Sequence, residues 1–453
     1  MLLIIERGNV LPKGNKSRPP LIFFGWWTVL VGGVLSGLGM GFTGYGLSVF
    51  FKDLSSDLGL NRATTSLAAG IGRLEGGLIG PLTGWLSDKF GPKWPIIVGL
   101  CITGTGLILM RFITAPWQYF VVWGVMVATG VNLGLTIAFD KALINWFVRK
   151  RGIATGIRFA LLGILGVGVL QVVTLLVLSQ GWRMTCFIWG FVMLAGVAFI
   201  VALVKQQRPE YYGLLPDGAK MEVGAEESRD EIIDKGVGYA ASFQETEYTF
   251  RQALRTRAYW MLAIAYGLQN VSNSGFTIHI IPFLTDRGID LTTASSMMGV
   301  MVFSTIPARF LSGLIADRLP KNRLQFLLVG AGLIQAVGLS FFLICGDITS
   351  VYVMLVCLGL GSGAATPSLI VIIGRYFGRK AWGSIAGSTS VFRASLAFVA
   401  PVYTGWIYDT TGSYIIALIT FTVVASFSIL VMIMTHAPKS PSDSISRITG
   451  YQD

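Results

Sequence analysis

The chain has 453 residues, of which 53% are hydrophobic and only 13% charged, where soluble domains carry about 25% charged residues. With a mean hydropathy of +0.66, that composition excludes an ordinary soluble globular protein and a disordered chain alike. Lysine and arginine number 35 against 23 acids, a net charge of +12; nucleic-acid binders join such an excess to far more total charge, so no nucleic-acid partner is expected.

A spanning helix needs ~20 mostly apolar residues, and twelve stretches qualify. Residues 1–21 form a tail whose opening Met-Leu-Leu-Ile-Ile is too short for a signal peptide, so it is expected to be retained. Six spans follow within 22–204, at 22–51, 64–86, 94–113, 117–146, 153–178 and 183–204. Residues 205–256 are polar and acid-rich, with Glu222, Glu226, Glu227, Asp230 and Glu231 close together, and read as a linker. Six more spans fill 257–435, at 257–284, 293–316, 325–345, 349–376, 383–407 and 413–435, before a tail at 436–453. The fold class expected is an all-α membrane protein: twelve transmembrane helices in two six-helix pseudo-repeats.

The loops set the orientation. One group carries Lys89/Lys93, Arg149/Lys150/Arg151, Arg318/Lys321/Arg323 and Arg375/Arg379/Lys380, with both tails and the linker on the same side. The positive-inside rule places that side in the cytoplasm of a cell (plasma or inner) membrane. The two halves also match in register. Gly84-Trp-Leu-Ser-Asp88-Lys89 recurs 229 residues later as Gly313-Leu-Ile-Ala-Asp317-Arg318, and Trp146-Phe147-Val-Arg149-Lys150 recurs 230 later as Tyr376-Phe377-Gly-Arg379-Lys380. Parallel six-helix repeats are a transporter architecture, with the substrate at the midplane between them.

Gly84, Asp88, Lys89, Gly91 and Lys93 resemble the signature loop of the major facilitator superfamily, and Asp317-Arg318 is its degraded copy. Asp88, at a helix end, is suited to face a positive helix N-terminus. Phe24-Gly25-Trp26-Trp27, Val49-Phe50-Phe51-Lys52, Trp146–Gly156, Gly181-Trp182-Arg183 and Arg208-Pro209-Glu210 to Asp217-Gly218 resemble the monocarboxylate transporters and the oxalate/formate antiporter-like branch. The resemblance implies that Arg309 pairs with a substrate carboxylate. It also implies that the second helix faces the eleventh and the fifth faces the eighth. Two departures stand out: Tyr45 replaces the helix 1 lysine of the animal-type proteins, and Thr305 replaces an acid four residues before Arg309. Their proton-coupling scheme therefore does not transfer.

Charges inside a bilayer cost at least ~2.5–3.5 kcal/mol each on insertion scales and are functional candidates by default. The spans hold Arg73, Glu75, Asp140, Lys141, Arg158, Arg309 and Arg393. Arg393 lies eleven residues past Trp382, ~16 Å along a helix and near the midplane. Glu75 is similarly deep, and a Glu75–Arg393 ion pair across the halves is expected. Arg158 and Arg309 would flank the cavity from opposite halves, the alternative for each being a head that snorkels to the interface. Lys141 is expected to snorkel, and Asp140 to bind substrate-coupled protons or pair with Lys141 or the 149–151 loop. Arg73 joins Glu75 and Asp140 as a candidate for coupling or ion pairing. Asn270, Asn273, His279, Tyr45 and Trp123 are candidates to line the pocket, with interhelical hydrogen bonding or packing as the alternative.

Cys101, Cys186, Cys345 and Cys357 lie in apolar stretches and are expected in the core. Neither a metal nor a cofactor is implied, and there is no phosphate-binding loop or catalytic elbow, so an enzyme is not expected. The leading reading is a monomeric secondary transporter of a small organic anion, resembling the monocarboxylate branch, by proton symport or exchange. Arg309 would bind the carboxylate, with Arg158 or Arg393 as a second cation. An exporter of amphipathic or cationic compounds, leaning on Glu75, is one alternative. A transporter-like sensor without flux is the other.

Overall fold

The computed structural model describes residues 23–60, 62–205, 208–219, 229–242, 246–277, 279–289 and 291–438, and the side chains of Tyr45 and Arg73 lie outside what it describes. Its regular structure is helical throughout the described residues. The first helices are α1 (Phe24–Gly41), which runs through a π turn into α2 (Leu47–Asp57), α3 (Arg62–Phe90) and α4 (Lys93–Leu109). A second broken rod holds α5 (Pro116–Tyr119), a π segment (Phe120–Val127), α6 (Ala128–Gly134) and α7 (Ile137–Trp146). Next comes α8 (Arg151–Leu203), which covers two expected spans and turns sharply at Gly181, where φ is 78°. Only glycine takes that left-handed backbone without penalty.

Between 205 and 256 the chain holds two 3-10 turns, Pro209–Tyr212 and Pro216–Gly218, then α9 (Arg229–Ser242) and α10 (Phe250–Leu254). The rest comprises α11 (Arg257–Thr277), α12 (Ile280–Thr285), α13 (Leu291–Arg318), α14 (Gln325–Cys345), α15 (Ile348–Phe377), α16 (Trp382–Thr411) and α17 (Ile415–Ile433). Among the described residues, nine helical stretches are long and apolar enough to cross a membrane. α8 counts once although it bends, and α3 and α11 are not among the nine. These two carry polar residues in their apolar stretches: Glu75 on α3, and Gln269, Asn270, Ser272 and Asn273 on α11.

Three apolar clusters hold the helices. One joins α1, α2, α4 and α8 around Phe42, Phe50, Trp123 and Trp189. A second joins α12 to α17 around Phe283, Phe342 and Phe421. The third takes Trp146 and Phe147 from one side and Tyr259, Tyr376, Phe377 and Trp382 from the other, all buried, and seals the ends that bear the basic loops. Trp123 is thus core packing. The cysteines divide: Cys186 is buried, Cys101 and Cys357 are partly buried, and Cys345 is exposed, contrary to the expected core position. Cys345 is the last residue of α14, where the helix leaves its packed neighbours.

Candidate functional site

The same contact occurs twice at the sealed end. A Cβ on Gly84 of α3 would stand 1.9 Å from the Gly383 carbonyl of α16, and one on Gly152 of α8 would stand 2.0 Å from the Gly313 carbonyl of α13. Glycine alone lets backbones meet that closely. Beside each contact an aspartate caps the facing helix. Asp88 accepts the N–H groups of Gly383 (3.0 Å) and Ser384 (2.7 Å) and the Ser384 hydroxyl (2.6 Å). Asp317 accepts the N–H groups of Gly152 (2.6 Å) and Ile153 (2.7 Å). In both cases the donors are the second and third residues of the helix, groups with no partner inside it, and the charge faces the positive end of the helix dipole.

Lys141 does not snorkel. It is buried, 2.6 Å from Asp88, and donates to the carbonyls of Arg379 and, at 3.2 Å, Lys380. Those acceptors compensate a charge that burial would otherwise penalise heavily. In the rest of the motif, Gly91 takes a φ of 82°, Lys93 donates to the Val201 carbonyl at 2.9 Å, Lys89 lies over the Trp85 ring, and Arg318 is exposed.

A cavity of about 540 Å³ opens between α3, α6, α7 and α8 on one side and α11, α15 and α16 on the other. Its wall includes Asp140, Arg158, Asn270, Asn273 and Arg393. The rod of α6 and α7 breaks at Thr136, where φ is −111° and ψ −106°. The break puts Asp140 in the first turn of α7, where Arg158 of α8 reaches it in an ion pair. Arg158 also donates to the Ser36 hydroxyl and the Leu135 carbonyl, both at 3.0 Å, and lies over the Phe139 and Phe159 rings. At 2% exposure it is locked and neutralised, which rules out snorkelling. Asp140 pairs with Arg158 rather than with Lys141 or the 149–151 loop.

Arg393 is different. It lies on the cavity wall and is exposed there, with no carboxylate in ion-pair distance among the described residues. The expected Glu75–Arg393 pair does not form. Depth along a helix said nothing about azimuth: Glu75 turns to α6, where the Thr129 hydroxyl donates to its Oε1, and its Oε2 is buried with no hydrogen-bond partner among the described residues. Arg309 is half-buried on α13, its Nη1 3.3 Å from the position a Cβ on Gly163 would take, and it is not among the residues of the cavity wall. His279 is also off that wall, beside the Tyr414 ring.

Several residues had no individual signal in the sequence. Thr129 and Asn132 on α6 meet Glu75 and the cavity. Glu210, Asp217 and Glu247 hold the sealed end together with Arg379 of the repeated basic loop. Glu210 and Asp217 lay inside the segment quoted for its family resemblance, which was the one available pointer to them.

Comparison with known proteins bears on the family and the fold. The model of the Major Facilitator Superfamily matches residues 29–401. Human monocarboxylate transporter 2 is 23% identical over 412 residues, covering 89% of this chain and 84% of that protein. Among solved structures, the human organic anion transporter MFSD10 superimposes with a TM-score of 0.65 at 13% identity, covering 90% of this chain and 99% of that one. The transporter FucP in its outward conformation gives 0.67 at 12% identity, with the same coverage.

Proposed function

The chain belongs to the Major Facilitator Superfamily, and from that premise we propose that it moves a small organic anion of the monocarboxylate kind across a cell membrane by alternating access. The proposed topology is twelve spans in two six-helix repeats, both termini cytoplasmic, acting as a monomer. The cavity between the halves is the binding site, and its sealed side faces the cytoplasm.

One observation carries the anionic substrate: Arg393 offers a guanidinium to the cavity with no carboxylate in ion-pair distance among the described residues. The Asp140–Arg158 pair in the same wall cancels itself. A carboxylate completes the Arg393 fork through two parallel hydrogen bonds. Arg393 therefore takes the leading role that the family resemblance assigns to Arg309, with Asn270 and Asn273 beside it on α11. Glu75 is the proposed proton carrier. Its carboxyl is met by the neutral Thr129 hydroxyl, whereas Asp140 is already compensated by Arg158.

The test is uptake of a labelled carboxylate panel into proteoliposomes with and without a pH gradient. Saturable uptake abolished by Arg393→Ala supports the reading. Uptake indifferent to that change removes Arg393 from the site, and flux of amphipathic cations in place of carboxylates would point to the exporter.

A further inference from the structure

The sealed end is held by more than the two halves. Asp217, in the linker, accepts the backbone N–H groups of Val148 (3.2 Å), Arg149 (2.8 Å) and Lys150 (3.0 Å). It does so from a left-handed backbone with φ of 61°, which is uncommon for a non-glycine residue and worth a functional question. The Tyr239 hydroxyl of α9 donates to the same carboxylate at 3.2 Å. On the other side, Glu247 accepts the N–H of Lys380 at 2.6 Å and stands 3.5 Å from Arg208. The Tyr248 N–H donates to the Phe377 carbonyl at 3.0 Å, and Lys321 donates to the Thr246 hydroxyl at 3.1 Å.

Arg379 joins these two groups of contacts. It belongs to the loop between α15 and α16, yet it pairs at 2.8 Å with Glu210 of the linker, with side-chain exposures of 0% and 2%. It also donates to the Gly236 carbonyl of α9 (3.4 Å) and to the Asn145 carbonyl of α7 (3.2 Å). One guanidinium thus touches the loop before α16, the end of α7 and the linker together.

We propose that the linker segments 208–219, 229–242 and 246–248 act as a clasp: they hold the 148–150 loop of one half to the 377–380 loop of the other and have to disengage before the sealed end opens. Covalent connection of the halves needs none of these contacts. The clasp adds a barrier on one side of the alternating-access cycle, because each charge-assisted bond is made only while both loops are in reach. Its chemistry is electrostatic and backbone-directed, so neutralising a single carboxylate weakens it without touching the cavity. This rests on the alternating-access reading above, and the experiment separates the two.

In protein with Cys101, Cys186, Cys345 and Cys357 replaced by alanine and reconstituted in one orientation, single cysteines at Asn145→Cys in the sealed layer and Thr366→Cys in the cavity wall report alkylation by a charged, impermeant maleimide, added on the sealed side for 145 and on the opposite side for 366. A wedge variant, Gly383→Leu, forces the sealed end apart by another route and serves as the positive control. Glu247→Gln and Asp217→Asn, each checked for monodispersity and thermal unfolding, are expected to speed alkylation at position 145 by about tenfold, the equivalent of one charge-assisted bond, and to slow it at 366. If the wedge speeds position 145 and neither clasp variant does, the clasp is wrong. If both positions speed up together in the clasp variants, the linker merely stabilises the fold, and the clasp is again wrong. If the wedge itself leaves both reporters unchanged, alternating access fails and the clasp fails with it.

Discussion

Arg158 and Asp140, eighteen residues apart in sequence, form a buried ion pair in the cavity wall because the rod between α6 and α7 breaks at Thr136. The pair has two consequences. It removes Arg158 from the list of cations available to a substrate, and it makes each partner dependent on the other. Removing one partner of a buried pair typically costs about 3–5 kcal/mol, while removing both can be nearly neutral. Asp140→Asn should therefore lower the thermal unfolding midpoint markedly, and Asp140→Asn with Arg158→Met should recover most of the loss. A double variant no more stable than the single one would mean that Arg158 is held by its other contacts.

Arg393→Ala should weaken substrate binding by about 10- to 100-fold, the range expected for losing a charge-assisted contact of roughly 1.5–3 kcal/mol. Arg393→Lys should keep part of it, because an ammonium supplies charge without the fork. Arg309→Ala should have the smaller effect. Concentration-dependent uptake, or ligand-induced thermal stabilisation, would rank the three.

Glu75→Gln should uncouple flux from the pH gradient while sparing substrate exchange. The neutral amide mimics the protonated carboxyl, so the carrier would be fixed in one protonation state. Uptake driven by an inward proton gradient would fall, and counterflow of labelled against unlabelled substrate would persist. Gradient-driven uptake at the original rate would exclude Glu75 as the proton carrier.

Loss of charge at either capping aspartate should be destabilising, though not equally so. Asp88→Asn and Asp317→Asn each keep an acceptor but lose the charge facing a helix N-terminus, a change worth roughly 0.3–2 kcal/mol. Asp88→Asn should be the more damaging, because it also strands the buried Lys141 ammonium. Thermal unfolding of the pair of variants, compared with Lys141→Met/Asp88→Asn, measures the difference.

A pH effect follows from Glu247. Burial alone would raise its pKa, but the Arg208 and Arg379 guanidiniums, the Lys380 N–H and Lys141 together outweigh burial and hold the carboxyl below its ordinary value of 4.5. A depressed pKa contributes stability that is present above the unfolded value and lost as pH falls through the folded one. Wild type should therefore exceed Glu247→Gln in thermal stability at neutral pH, with the gap closing as pH falls below 4.5. A gap of constant size down to pH ~3 would contradict that linkage.

Much of this was legible in the sequence. Hydropathy marked the apolar stretches, and the 229-residue offset located Asp88 and Asp317 at matching helix ends. Contacts set by azimuth were not legible. Glu75 and Arg393 lie at similar depth, but one turns to Thr129 and the other to the cavity. Nor does hydropathy reveal a break such as Thr136, which alone brings Asp140 to Arg158. The linker was legible as polar composition and as the Arg208–Gly218 resemblance, but its role was not, because its contacts are largely with backbone groups of loops more than sixty residues away.

The Gly84–Gly383 and Gly152–Gly313 contacts have a consequence for how turnover can be adjusted. Where main chain meets main chain there are no rotamers to interlock and no side chain to exchange for a slightly larger or smaller one. Substitution at these four positions is therefore nearly all-or-none: glycine, or a seam that cannot shut. Gradual changes in cycling rate have to come from the polar groups beside the seam, which can be lengthened, neutralised or reversed one at a time.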